Sequence, residues 1–175
     1  CIIGRASFYA GGIVVTNSLI NTDYVSGITI TNNIVDKGWT SAENSTTIPL
    51  HGDGIFLLHA VEGGLVQGNT VRNWGHVGIT LTAYSADSPR IHRVHHIVVD
   101  HNDISAGASA YMHGFDVSGL AGLVTFNVIK RNYVHDYTTT CHALGSNNVF
   151  LSNIFSNVVG TSLHSIGQSY QPYGM

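Results

Sequence analysis

Charge is scarce in this sequence. Only 10% of its 175 residues are Asp, Glu, Lys or Arg, against roughly a quarter in an ordinary compact domain. Seven basic residues and a formal net charge of -3 leave no basic footprint for a nucleic acid. The two cysteines, Cys1 and Cys141, make no disulfide framework, and neither sits in a CxxC or Cys/His zinc spacing. They read as free or buried thiols and do not fix a redox compartment. No apolar run approaches the ~20 residues needed to span a bilayer. No basic stretch followed by an apolar one marks a secretory signal. The chain opens CIIG without an initiator Met and without a polar cap, as expected of a piece of a longer polypeptide that supplies further coils.

What the chain does have is a repeat. The pattern apolar-x-apolar-x-x-Asn-x-apolar reads Ile28, Ile30, Asn33, Val35. It returns around Asn69 (Val66, Val71), Asn102 (Ile97, Val99, Ile104), Asn132 (Ile129, Val134) and Asn153 (Phe150, Phe155). Successive asparagines lie 36, 33, 30 and 21 residues apart. Alternation of period two places one apolar set on one strand face. Asn after the strand tolerates a left-handed backbone and turns the chain. Stacked Asn side chains would then hydrogen-bond from coil to coil, ~4.8 Å apart.

Between the asparagines lies a second, glycine-led strand: Gly54-Ile-Phe-Leu, Gly78-Ile-Thr-Leu, Gly114-Phe-Asp-Val and a weaker Ala143-Leu-Gly-Ser. Two longer strands and a short one after each Asn predict three strands per turn, the layout of a parallel β-helix. GGIVVTNSLI carries the Asn pattern too, with Val14, Asn17 and Leu19, but Asn17 is only 16 residues from Asn33. Residues 1–25 therefore read as an irregular or partial first coil of a single domain over 1–165. Residues 166–175 read as an irregular tail. Segments 39–51 and 84–95 are polar, carry Pro49 and Pro89, and read as inserted loops. Such loops often line a solenoid's binding face.

A leucine-rich repeat shares the Asn position. Ile and Val in place of Leu, spacings beyond the usual 20–29 and a second strand in place of a helix argue against it. The strings GITITNNIV, GLVQGNTVRNWGHVGITLTA, HHIVVDHNDIS and NNVFLSNIFSNV resemble the pectate-lyase-like superfamily over roughly residues 25–160. The resemblance implies an all-β, right-handed parallel β-helix, here of about five coils. It implies a function among polysaccharide lyases, glycoside hydrolases, uronate epimerases, or the non-catalytic β-helices of tailspikes and adhesins. It also places the chain outside the cell, in the periplasm, or on a cell or virion surface.

Aligning the glycine-led strands gives an outward column. Asp53, His113 and His142 precede the Gly or Ala, and Asp116 follows two places after it. If the coils stack in register, these four cluster on one face as candidate catalytic groups. His76, Thr80, Tyr84 and Arg90 are candidates for holding substrate. Paired carboxylates can cleave a glycosidic bond, and a carboxylate with His and Tyr can move the proton beside a uronate carboxyl. The string MHGFDVSG is similar to the Tyr-Gly-x-Asp-Pro-His motif of alginate C5-epimerases. Gly114, Phe115 and Asp116 match it, while Met112-His113 and Val117-Ser118 depart from it.

Metal is a weaker expectation. His92, His95 and His96 cluster in sequence, but strand alternation sends His95 and His96 to opposite faces. Ca2+ stays open at Asp53, Asp100 or Asp103, without an acidic calcium loop. The expected partner is a polysaccharide. Outward Val98, Val128, Val149 and Leu151 form an apolar stripe that a loop, a domain or another subunit would cover.

Overall fold

The computed structural model describes residues 2–3, 11–16, 24–36, 52–74, 76–83, 93–106, 113–119, 122–137, 139–143 and 145–158. Tyr84, His92 and Arg90, the segment 39–51 and the tail 166–175 lie outside them. The described residues are all β. After β1 (Ile2–Ile3), the strands come in successive groups. The first group is β2 (Ile13–Thr16), β3 (Val25–Thr31) and β4 (Ile34–Asp36). The next is β5 (Asp53–Leu58), β6 (Val61–Gln67) and β7 (Thr70–Trp74). Then come β8 (Val77–Ala83), β9 (Val94–Asp100) and β10 (Asp103–Ala106). The fourth group has an extra short strand: β11 (His113–Gly119), β12 (Val124–Thr125), β13 (Val128–Lys130) and β14 (Tyr133–His135). The last is β15 (Thr139–Ala143), β16 (Val149–Leu151) and β17 (Ile154–Ser156).

Each group contributes to the same three parallel sheets in the same order. The first sheet runs β2-β5-β8-β11-β15, the second β3-β6-β9-β13-β16 with β12 also on β9, and the third β1-β4-β7-β10-β14-β17. This is the strand order of a parallel β-helix, a solenoid in which each strand pairs with its counterparts one turn away. The core lies between the sheets. Val66, Val71, Ile97, Val99, Ile104, Ile129 and Val134, the apolar positions flanking the asparagines, are fully buried in it.

The recurring asparagines are a ladder. Asn33 Nδ2 and its backbone N–H both donate to Asn69 Oδ1 at 3.0 Å. The arrangement repeats from Asn69 to Asn102, from Asn102 to Asn132 and from Asn132 to Asn153, at 2.9–3.0 Å. The side-chain amides of Asn69, Asn102, Asn132 and Asn153 also donate to a strand carbonyl of the preceding coil, as Asn102 Nδ2 does to Val66 O at 2.9 Å. A buried amide with every group satisfied stabilises; one left half-satisfied costs about 1–3 kcal/mol per orphaned group.

The left-handed turn is not taken by the ladder asparagines. It falls on the residue before each: Asn32, Gly68, His101, Arg131 and Ser152 have φ between 51° and 65°. The preceding residue makes the corner, which leaves the Asn side chain free to turn inward. Asn127 and Asn148 form a second, shorter ladder that the repeat pattern does not reveal. Asn127 Nδ2 and N–H donate to Asn148 Oδ1 at 3.0 Å.

Two further readings shift. GGIVV belongs to the glycine-led sheet: Ile13 pairs with Ile55, and a Cβ on Gly12 would stand 2.4 Å from Val35 Cγ1 in the core. Residues 94 and 95 belong to β9 rather than to an inserted loop, with Val94 fully buried.

Candidate functional site

The first sheet positions the candidate residues, and its glycines set their direction. A Cβ on Gly54 would lie 2.2 Å from Val71 Cγ1 and 2.6 Å from the Gly78 carbonyl. One on Gly78 would lie 2.2 Å from Ile104 Cγ2. Both positions face the packed interior, and so do the next residues, Ile55 and Ile79. Strand alternation therefore slips by one place at each glycine. Asp53 falls on the outer side, with Phe56 and Thr80.

The outer side carries a row along the solenoid axis. Val14, Phe56, Thr80, Asp116 and His142 are register partners from β2 to β15. Asp116 pairs with Thr80 on one side and His142 on the other. The sequence alignment set His142 beside His113 through Ala143, but Ala143 pairs with Val117 and has no glycine role. Without a glycine, β15 offers no sequence mark for its register, and the correct pairing moves His142 onto Asp116.

Two aspartate–imidazole pairs result. Asp53 Oδ1 lies 2.7 Å from His76 Nδ1, and Thr80 Oγ1 donates to Asp53 Oδ2 at 2.7 Å. Asp116 Oδ1 lies 3.1 Å from His142 Nδ1. The His113 ring stacks on that of His142, with centroids 5.2 Å apart and planes 19° from parallel. The structure thus brings Asp53, His76, Thr80, His113, Asp116 and His142 together on one sheet face. Tyr84 and Arg90 lie outside the described residues.

The carboxylates are not solvated surface groups. Asp53 and Asp116 are 8% and 7% exposed, and Thr80, its hydroxyl already spent on Asp53, is 2% exposed. The imidazoles are more open, with side chains 30% (His76) and 29% (His142) exposed. The hydrogen bond to Asp53 is the main influence on His76 and outweighs burial, holding its pKa above the ordinary imidazole value; the Asp116 charge adds to this. The bond to Asp116 does the same for His142. His76 and His142 are thus half-exposed imidazoles biased toward the protonated form, each held by a buried carboxylate, with half-buried His113 stacked beside His142.

Among the described residues, no group of three or more His, Cys, Asp or Glu side chains gathers as it would round a metal ion. The carboxylates open to Ca2+ each face other partners. Asp53 holds His76 and Thr80. Asp103 meets His135 Nε2 at 3.1 Å. Buried Asp100 accepts from Arg131 Nη2 at 2.6 Å, Arg131 Nε at 2.9 Å and Gln67 Nε2 at 3.1 Å. Burial would raise the pKa of Asp100, but Arg131, Gln67 and His101 together hold it below the usual range.

His95 and His96 depart from expectation. His96 has φ 58°, which breaks the strand alternation. The two rings meet instead of separating, Nδ1 to Nδ1 at 2.7 Å.

Fold and site together define an all-β parallel solenoid that carries paired aspartates and histidines on one outer sheet face. No protein-family model, curated protein or solved structure matches the chain. Among the described residues, no helix is long and apolar enough to cross a membrane.

Proposed function

We propose that the chain is a right-handed parallel β-helix domain of the pectate-lyase-like kind that acts on an acidic polysaccharide along the outer face of its first sheet. The right hand follows from the near-universal hand of crossovers between parallel strands. The observation that carries the functional reading is the side-by-side placement of the Asp53–His76 and Asp116–His142 pairs. A polymer lying along the axis meets one residue of the row about every 4.8 Å. Imidazolium groups there attract uronate carboxylates. An imidazole in its neutral form takes the proton beside the uronate carboxyl, and one in its charged form returns a proton to the leaving oxygen. The aspartates orient the rings and set their charge. Hydrolysis by two free carboxylates fits less well, since both carboxylates are buried and already bonded.

Such a domain works where polysaccharides are met: outside the cell, in the periplasm, or on a cell or virion surface. The test is incubation with a panel of uronate-containing polysaccharides. Ultraviolet absorbance from unsaturated products marks a lyase, and new reducing ends without it mark a hydrolase. The expected result is product with the native chain and at least about a hundredfold less with His142→Gln, the size of one lost acid–base group. No release from any glycan, with binding unchanged by Asp116→Asn, would sink the enzymatic reading. The near-complete burial of Asp53, Thr80 and Asp116 favours a second reading, a non-catalytic structural or glycan-binding β-helix of a tailspike, adhesin or surface protein. Its mark is saturable glycan binding without release.

A further inference from the structure

A second cluster of histidines stands away from the first sheet, on β9 of the second. Five register-aligned positions there take left-handed backbone: Gly27, Gly63, His96, Phe126 and Asn147, with φ between 57° and 64°. At Gly27 and Gly63 a Cβ would meet nothing within 4 Å, so the corner is open to solvent. Where His replaces Gly in this column, its ring swings back over its neighbour. His95 Nδ1 and His96 Nδ1 then lie 2.7 Å apart.

Both rings are held from outside the pair. His96 stacks on Phe126, with centroids 5.7 Å apart and planes 12° from parallel. His95 meets the Tyr24 ring edge-on at 5.2 Å and 73°. The pair is exposed. Glu62, the register partner of His95 one coil away, brings a carboxylate alongside, and its charge acts on His95 against that of Arg93.

The separation has a chemical meaning. Two imidazole nitrogens bound to one ion at about 2.0–2.1 Å, in adjacent positions of a tetragonal site, lie about 2.9 Å apart. The pair holds its two nitrogens within a few tenths of an ångström of that span before any ion arrives. We propose that His95 and His96 form a surface chelate for a divalent late first-row transition-metal ion, Cu2+ by preference, through both Nδ1 atoms. Each ring carries its proton on Nε2 in the bound form, and the ion takes the place of the proton shared between the two Nδ1 atoms. Water fills the other coordination positions, with Glu62 placed to balance the charge. Imidazole ligands and tetragonal geometry select Cu2+ and Ni2+ over Mg2+ and Ca2+.

The experiment titrates the full chain with Cu2+ alone, followed by calorimetry and by electron paramagnetic resonance. His96→Asn is the informative variant, since Asn147 shows that Asn takes this left-handed position within the same column. His95→Gln is its partner, and circular dichroism confirms the fold of both. The native chain is expected to bind one Cu2+ with nitrogen couplings from two imidazoles. Either variant is expected to weaken that ion by about a hundredfold, the advantage lost when a second linked ligand is removed. Mg2+ is expected to leave the titration unchanged. Equal Cu2+ binding in the native chain and in the double variant would overturn the site, as would no uptake by the native chain.

Discussion

The bond between Asp53 and His76 ties the ionisation of a surface imidazole to the folding of the chain. His76 and His142 are both held above the ordinary imidazole pKa in the folded state. A group whose pKa is raised by folding binds its proton more tightly when folded. Its contribution to stability is complete below the unfolded value of about 6.5. That contribution is lost as pH rises through the raised folded value. The thermal midpoint is therefore expected to fall by a few degrees between pH of about 6 and about 9. Thermal melts of a His76→Gln, His142→Gln double variant over the same range should show a flatter slope. An unchanged slope would mean that the pairs do not couple protonation to folding. His76, Asp53 and Asp116 could be named from sequence because each sits at a fixed place relative to a glycine-led strand. The meeting of His95 and His96 could not, because it turns on one φ that nothing in VHHIVVD betrays.

At the scale of the element, the asparagine ladder is the feature that sequence shows best and whose turn it misplaces. Asn33, Asn69, Asn102, Asn132 and Asn153 recur with apolar residues at fixed offsets, so both their positions and their stacking can be read directly. The corner itself is made one residue earlier, by side chains as different as Asn32, His101, Arg131 and Ser152. That variety hides it from pattern reading. Asn127 and Asn148 escape notice for another reason: earlier coils place Ile28, Gly64 and Ile97 in the same column, so no repeat of Asn marks it. Removing the Asn102 side chain leaves the backbone N–H of Asn69 without its acceptor, takes away one of the two bonds of the Asn69 amide, whose other goes to Ile30 O, and removes a donor from the carbonyl of Val66. Asn102→Ala is expected to cost about 3 kcal/mol or more, from one orphaned buried N–H and the other buried hydrogen bonds lost. Asn153→Ala, at the last rung, should cost measurably less. Chemical denaturation of the two variants measures both, and equal losses would show that the ladder does not act through its buried rungs.

At the scale of the whole molecule, each coil leans only on its neighbours. Stability in such a solenoid is close to a sum of coil and interface contributions, and the coils here are unequal. Those around β7, β9 and β10 are covered on both sides. The last described coil leaves its inward Phe150 and Phe155 only partly buried, whereas their register partners Ile129 and Val134 in the coil before are fully buried. Hydrogen exchange is expected to give the greatest protection in β6–β10 and the least in β15–β17. Binding of a further coil or of another subunit over that end would raise its protection. Uniform protection from β3 to β17 would contradict the nearest-neighbour picture.

The three corners of the solenoid differ in one respect that bears on how such a chain could be altered. Between the second and third sheets every passage takes two residues, from Thr31 to Ile34, Gln67 to Thr70, Asp100 to Asp103, Lys130 to Tyr133 and Leu151 to Ile154. The other corners vary freely. Only His59 and Ala60 part β5 from β6, whereas β8 and β9 are joined by all of 84–93. The ladder tolerates no change of length at its own corner, because one added residue would move an amide out of reach of the next. The remaining two corners are where foreign peptides could be grafted, with the asparagine rungs holding the frame constant while the inserted sequence is exchanged.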